Sequence, residues 1–504
     1  MSCTTLLVGR KASFDGSTMI ARNDDSGAGS WTPKKLVIVN PEDQPRHYRS
    51  VISHVETDLP SDPMRYSSVP NALSGEGIWA GAGINAANVA MTATETIASN
   101  ERVLGADPLV ELRPAEGDAP EQPGGIGEED MVTLVLPYIR SAREGVLRLA
   151  ELLETYGTYE MNGIAFSDTE EIWWMETIGG HHWIAKRVPD DRYVVMPNQS
   201  GIDCFDLDDA FGEGKNHLCS ADLRTFIADN HLDLSMDGVL NPRDAFGTHD
   251  DADHIYNTPR AWYMCRYFNP HTFSWDGPGA DFRPEDDDLP WSLRPERKIT
   301  VEDVKYILSS HFQGTPYDPY GITGDSSLRG SYRCIGINRT DFLALLQLRP
   351  DMPAAASAIE WLAFGSNAFN TFAPFYANTG EAPDYLSHTE EVPETDSFYW
   401  SCRLLAALAD SHFQSARIHI ERYQIRVQSE AHAIFSRYDN AIKDLLKAGG
   451  NCPDAGADER VSGLIRNANE ELASMVQKYT AQVLGRVLDE TSNHMKNAFS
   501  RSDV

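Results

Sequence analysis

The chain is short of positive charge. Lys and Arg number 43 against 75 Asp and Glu, a formal net charge of −32. Nucleic-acid binding needs clustered Lys and Arg to displace counterions from phosphates, so this composition speaks against it, and against anionic membrane surfaces too. Long apolar runs are also lacking. No stretch approaches the roughly 18 consecutive apolar residues of a membrane span. Residues 1–10 show no basic segment followed by an apolar one, the mark of a secretory leader, and a cytoplasmic location is the expectation. Cysteine is sparse. There are seven in 504 residues, an odd number with no C-x-x-C pair, which excludes a disulfide framework and a zinc knuckle.

Familiar catalytic signatures are missing as well. There is no G-x-x-x-x-G-K-[ST], no G-x-S-x-G, no H-E-x-x-H and no EF-hand loop. His181 and His182 are adjacent, and on a strand they would face opposite ways rather than share a metal. The acidic groups Asp206/Asp208/Asp209, Asp250/Asp251/Asp253 and Glu285 to Asp288 lack ligand spacing and read as solvated loops. No metal and no cofactor are expected.

What is present reads as alternating strands and helices. At 504 residues the chain exceeds the roughly 250–300 that one core serves, so two domains or one elaborated domain are expected. Thr4 to Gly9 and Thr18 to Arg22 flank a Phe14-Asp15-Gly16-Ser17 turn and form a hairpin. Lys35 to Asn40 is a short strand. Gly77 to Thr96 forms a second hairpin around Asn85-Ala86-Ala87-Asn88. Gly105 to Glu128 is an acidic Pro- and Gly-rich loop. Asp130 to Tyr156 is helical with an interruption near Pro137. Asn162 to Ser200 reads as a meander of four antiparallel strands, and Ser331 to Leu348 returns to strand. A helix opens at Thr258-Pro259-Arg260, with Thr258 as its cap.

Two apolar stripes close the chain: Ile420, Tyr423, Val427, Ala431, Ile434, Tyr438, Ala441 and Leu445, then Val461, Ile465, Ala468, Leu472, Met475, Tyr479, Val483 and Val487. Gly449, Gly450 and Pro453 separate them, which predicts a helical hairpin whose stripes serve as core or as a homo-oligomer interface. The overall class is α+β, with residues 3–400 as the main domain and 401–504 as a helical extension.

The N-terminus carries the chemistry. Loss of Met1 and then Ser2 would leave Cys3 with a thiol and a free α-amine on one residue. An amine with a pKa of about 7.7–8.0 can take the thiol proton without a histidine.

Ser2-Cys3-Thr4-Thr5-Leu6-Leu7-Val8-Gly9, followed by Asp15-Gly16-Ser17-Thr18-Met19-Ile20-Ala21-Arg22-Asn23, closely resembles the start of the dipeptidase A family. Those proteins are cysteine N-terminal-nucleophile hydrolases, distantly similar to penicillin V acylase and conjugated bile acid hydrolase. Pro197-Asn198-Gln199-Ser200-Gly201-Ile202, Arg329-Gly330-Ser331 to Arg349-Pro350, and Ala373-Pro374-Phe375-Tyr376 resemble its later motifs.

The resemblance implies a four-layer αββα sandwich and hydrolysis of small peptides, with Cys3 as nucleophile and its α-amine as base. Asp25 would hold that amine and Arg22 would lower the thiol pKa. Asn198 would donate to the oxyanion, and Arg260 aligns with a superfamily arginine. The acylases place an Asn or Tyr in the strand that here reads Thr92-Ala93-Thr94-Glu95-Thr96, so the second oxyanion donor is expected to be a backbone N–H. Glu95 is the candidate partner for a substrate ammonium. An acylase of N-acyl amino acids, penicillins or bile conjugates, and a non-catalytic binding protein of the same fold, remain as alternatives.

Active protein should therefore begin at Cys3. Intact-mass measurement is expected to show loss of Met1 and Ser2, and full activity in protein that keeps Ser2 would rule out the α-amine as base.

Overall fold

A computed structural model describes residues 3–448 and 457–495. Met1, Ser2, Gly449, Gly450, Cys452 and Pro453 lie outside the described residues, and with them the expected trimming site and helix-stop signals.

The first hairpin forms as expected, from β1 (Thr4–Val8) and β2 (Thr18–Asp25). Its turn places Gly16 at φ 85°, which glycine adopts without strain. Asp15 Oδ1 accepts from Ser17 N at 3.1 Å and from Ser17 Oγ at 2.6 Å. That geometry sets the register Thr5↔Arg22 and Thr4↔Asn23. The second hairpin is β3 (Ala82–Ile84) and β4 (Ala90–Thr96) around the Asn85–Asn88 turn. Asn85 holds the turn by accepting from Ala87 N and Val89 N.

The expected meander is corrected in its last strand. β5 (Asn162–Ser167), β6 (Ile172–Ile178) and β7 (His182–Arg187) pair in sequence. β8 (Tyr193–Met196) leaves them and pairs antiparallel with β1. The turn before it docks on the first hairpin, with Gly9 N donating to Arg192 O and Lys11 N to Asp190 O. The place beside β7 goes to β9 (His217–Cys219). Later come β10 (Ser292–Leu293), β11 (Thr340–Leu348), β12 (Ala358–Phe364) and β13 (Ala373–Tyr376). β11 begins nine residues after Ser331; residues 331–339 are loop.

Beside two small two-stranded sheets, two large antiparallel ones result. One runs β10-β8-β1-β2-β11-β12-β13 and the other β9-β7-β6-β5-β4-β3. The two share one apolar cluster, which joins Leu6, Ile20 and Leu345 of the first to Ala90, Ala165 and Trp174 of the second.

Helices α1 (Glu128–Val135) and α2 (Ala142–Tyr156) lie either side of Pro137, as the proline predicts. Leu134, Leu149 and Leu153 bury against Phe166, Trp173 and Met175 of the second sheet, while Leu147 is exposed. α3 (Thr258–Phe268) is flanked by Asn257, not Thr258, at its N-cap, so Thr258 is already helical. α4 (Val301–Leu308) and α5 (Phe398–Ala409) precede the long pair α6 (Phe413–Ala448) and α7 (Ala457–Ser492). Most of both stripes, including Val427, Ala431, Leu472 and Val487, is buried within the chain, in the same cluster as the sheets. Among the described residues no helix is long and apolar enough to cross a membrane.

Strand β13 is the edge of its sheet, and α7 covers it. Asn469 accepts from Tyr376 N at 2.8 Å and donates to Tyr376 O at 3.1 Å, in place of a further strand. Asn469→Ala leaves both backbone groups buried and unpaired. It is expected to lower stability by about 1–3 kcal/mol, read as a shift in the denaturant midpoint at unchanged slope.

Candidate active site

Alternation along β2 divides its polar residues between two faces. Arg22 and Asp24 share the face of Cys3 and Thr5. Asn23 and Asp25 point the other way.

Arg22 is fully buried and organises the first face. Its Nη2 donates to Cys3 Sγ at 3.1 Å, to Asp24 Oδ1 at 3.1 Å and to Glu128 Oε1. Nη1 donates to Ala93 O at 2.7 Å and Gly81 O at 3.2 Å. Gly81 is needed there: its φ is +66°, and a Cβ would meet the Phe342 ring at 2.6 Å. Burial disfavours the guanidinium charge, but the Cys3, Glu128 and Asp24 groups outweigh it and hold the Arg22 pKa above its usual value. Cys3 Sγ and carboxylate oxygens of Asp24 and Glu128 lie within 4.8 Å of one another, a grouping able to hold a cation. The cation at its centre is the Arg22 guanidinium.

Cys3 is itself fully buried. Burial pushes its thiol well above the ordinary range; Arg22 opposes this, and Glu128, Glu95 and Asp24 reinforce it. Asp24 is held from both sides, by Arg22 and by Lys34 at 3.1 Å from Oδ2. Burial raises its pKa, yet Lys34 and Arg22 bring it below the usual value.

The structure sets Asp25 on the opposite face. It accepts from Thr340 Oγ1 at 2.6 Å and pairs with Arg333. The carboxylate next to Cys3 Sγ is Asp24, at 3.9 Å.

Asn198 and Arg260 do come together. Arg260 donates to Asn198 Oδ1 at 2.8 Å, to Thr4 Oγ1 at 2.6 Å and to the Cys3 carbonyl. Asn198 Nδ2 donates to Thr96 O at 2.9 Å, which ties the end of β8 to the end of β4 across the two sheets. Burial lowers the Arg260 pKa to about 9, with Arg333 adding to the effect and Glu95 opposing it.

Glu95 is buried near this cluster rather than on a strand end facing solvent. Its Oε2 accepts from Thr5 Oγ1 at 2.8 Å, and its Oε1 has no hydrogen-bond partner among the described residues. Burial raises its pKa to about 8 against the pull of Arg260, Thr5 and Arg22.

Residues 2–426 match peptidase family C69. The chain belongs to that family. It is 53% identical to "Dipeptidase" of Bifidobacterium longum and 52% identical to "Probable dipeptidase A" of Streptococcus pyogenes, over 100% of both chains in each case. It is 43% identical to "Dipeptidase A" of Lactobacillus helveticus, over 97% of this chain and 96% of that one.

Several residues of this C69 site escape sequence reasoning. Asp24 was open to it, since hairpin register sets residue 24 opposite residue 3. Glu128 and Lys34 carry no local signal. Glu176 on β6 is another: its Oε1 accepts from Gly201 N at 2.8 Å, Ile202 N at 3.2 Å and Trp174 Nε1 at 2.9 Å, pinning the loop that carries Asn198. His181 and His182, expected to diverge, both reach Asp107, at 2.9 Å and 2.7 Å. This is possible because His181 sits in the turn and only His182 is in the strand.

The electrostatics predict alkylation profiles for Cys3. Arg22→Gln removes the guanidinium that most lowers the thiol pKa and should move the pH dependence of alkylation upward. Asp24→Asn removes a group that raises it and should move the profile downward. Asp25→Asn, on the other face, should leave it in place.

Proposed function

We propose that this chain is a dipeptidase of the N-terminal-nucleophile type, an αββα sandwich in which Cys3 attacks the peptide carbonyl. The observation that carries this is a cysteine at position 3, hydrogen-bonded to a buried guanidinium, in a chain that matches dipeptidases end to end. The layering supports the fold: α1 and α2 cover one sheet, and α4 to α7 cover the other.

Removal of Met1 and Ser2 supplies what the buried thiol lacks. A free α-amine on Cys3 takes the thiol proton, and the ammonium so formed stabilises the thiolate beside Arg22. The thiolate adds to the substrate carbonyl. The Asn198 amide and a backbone N–H receive the oxyanion, with Arg260 orienting Asn198 through Oδ1. The α-ammonium protonates the departing amine, and water hydrolyses the thioester.

Cys3→Ala should abolish dipeptide hydrolysis while the far-ultraviolet circular dichroism stays native. Asn198→Ala should lower kcat by roughly 10²–10³. A loss confined to KM would move Asn198 to substrate binding, and hydrolysis of N-acyl amides in preference to dipeptides would make the chain an acylase.

A further inference from the structure

A dipeptide presents its ammonium very close to the bond that is cut. Standard bond lengths put that nitrogen about 2.5 Å from the scissile carbon. The sulfur approaches the same carbon to about 3–3.5 Å, and a charged hydrogen bond spans about 2.7–2.9 Å. The carboxylate that receives the ammonium must therefore lie within a few ångströms of Cys3 Sγ and keep an oxygen uncommitted.

Three carboxylates surround the thiol, and their commitments differ. Asp24 gives Oδ1 to Arg22 and Oδ2 to Lys34, so both oxygens already face cations. Glu95 has an unpartnered Oε1, but it lies on the basic side of the site, where Arg260, Arg22 and Arg333 all act on it. A cation arriving there meets Arg260 and Arg333 in addition to Arg22, which Glu95 and Glu128 share. Glu128 gives Oε1 to Arg22, and its Oε2 has no hydrogen-bond partner among the described residues although the side chain is buried.

The surroundings of Glu128 are acidic. It opens α1 beside Glu129 and Asp130, and its N–H donates to Glu160 Oε1 at 2.7 Å. Glu129 and Asp130 are occupied: the first accepts from Ser50, Val51 and Ile52, the second from Tyr48 and Gly127. Glu128 alone of the three keeps an oxygen available. Tyr159, whose ring fills the space that a Cβ on Gly127 would need, brings to the same acidic corner a hydroxyl with no hydrogen-bond partner among the described residues.

We propose that Glu128 receives the ammonium of the substrate's first residue on Oε2 while Oε1 stays on Arg22, making it the residue that selects free-amine dipeptides. This assignment rests on the dipeptidase activity proposed above and replaces Glu95 in that role. It also couples binding to chemistry. The arriving ammonium offsets one of the carboxylates that keep the proton on Cys3, so a free-amine substrate favours the thiolate and an acetylated one does not.

The test compares a dipeptide with its N-acetyl form on trimmed wild type, Glu128→Gln and Glu95→Gln. Gln keeps an oxygen for Arg22, so the Glu128 variant should fold. Glu128→Gln should lower kcat/KM for the free dipeptide by about 10²-fold, change the acetylated substrate far less, and so collapse the preference. Glu95→Gln should keep the preference. Should Glu128→Gln fail to fold, Glu128→Asp carries the test, with a larger loss of kcat/KM on the free dipeptide than on the acetylated one. An unchanged preference in the Glu128 variants overturns the proposal. So does a collapse in Glu95→Gln instead, and so does an equal loss on both substrates, which would make Glu128 a positioning residue for Arg22. Wild type that cleaves neither substrate removes the dipeptidase reading itself, a result distinct from any of these.

Discussion

One buried guanidinium holds the centre of this protein together. Arg22 has no access to solvent, and a buried cation is tolerated when most of its donors find acceptors; Nη1 and Nη2 find them, while Nε has no hydrogen-bond partner among the described residues. Those acceptors come from three places: Cys3 and Asp24 on one sheet, the Ala93 and Gly81 carbonyls on the other, and Glu128 on the helix that covers it. Every layer on that side of the molecule is thus in register with the same side chain. The small residues of the second hairpin follow from it, since a bulkier chain at Gly81 would collide with Phe342 and push the carbonyl off Arg22.

Charge is sorted around the thiol. Asp24 and Glu128 lie beside it, with Glu160 hydrogen-bonded to the Glu128 N–H, and Arg260 holds the Cys3 carbonyl. A zwitterionic dipeptide is a small dipole, and a site graded in this way orients it before any side-chain preference acts. The loop bearing Asn198 is fixed with similar care, by Glu176 beneath it and by Arg260 and Thr96 beside it.

Much of this was open to sequence reasoning, and the exceptions have physical causes. Both N-terminal hairpins, the break at Pro137 and the paired terminal helices could be read because turn chemistry, a missing N–H and a repeat of three and four residues are local properties. The departure of β8 to the other sheet could not be read, because its unbroken apolar run, buried on both faces, suits either partner. Cys3, Arg22, Asn198 and Arg260, which the motif resemblance singles out, form one connected group of hydrogen bonds. Asp25 joins Arg333 because period-two alternation turns it away from its neighbour Asp24. Glu128 was invisible for another reason: acidic residues open helices routinely, favoured by the helix dipole, so its presence there announces nothing.

The placement of β1 between β8 and β2 has a consequence for how the protein comes into being. β1 precedes the other described strands of its sheet in the chain, yet it lies inside the sheet rather than at an edge. It waits for a neighbour about 190 residues downstream, and the site is not closed until residue 260 has been made. Contacts of such long sequence separation form late and slowly. A nascent or truncated chain therefore carries Cys3 without the buried surroundings that the finished fold builds around it, and the cell is spared a peptidase that works before it is finished.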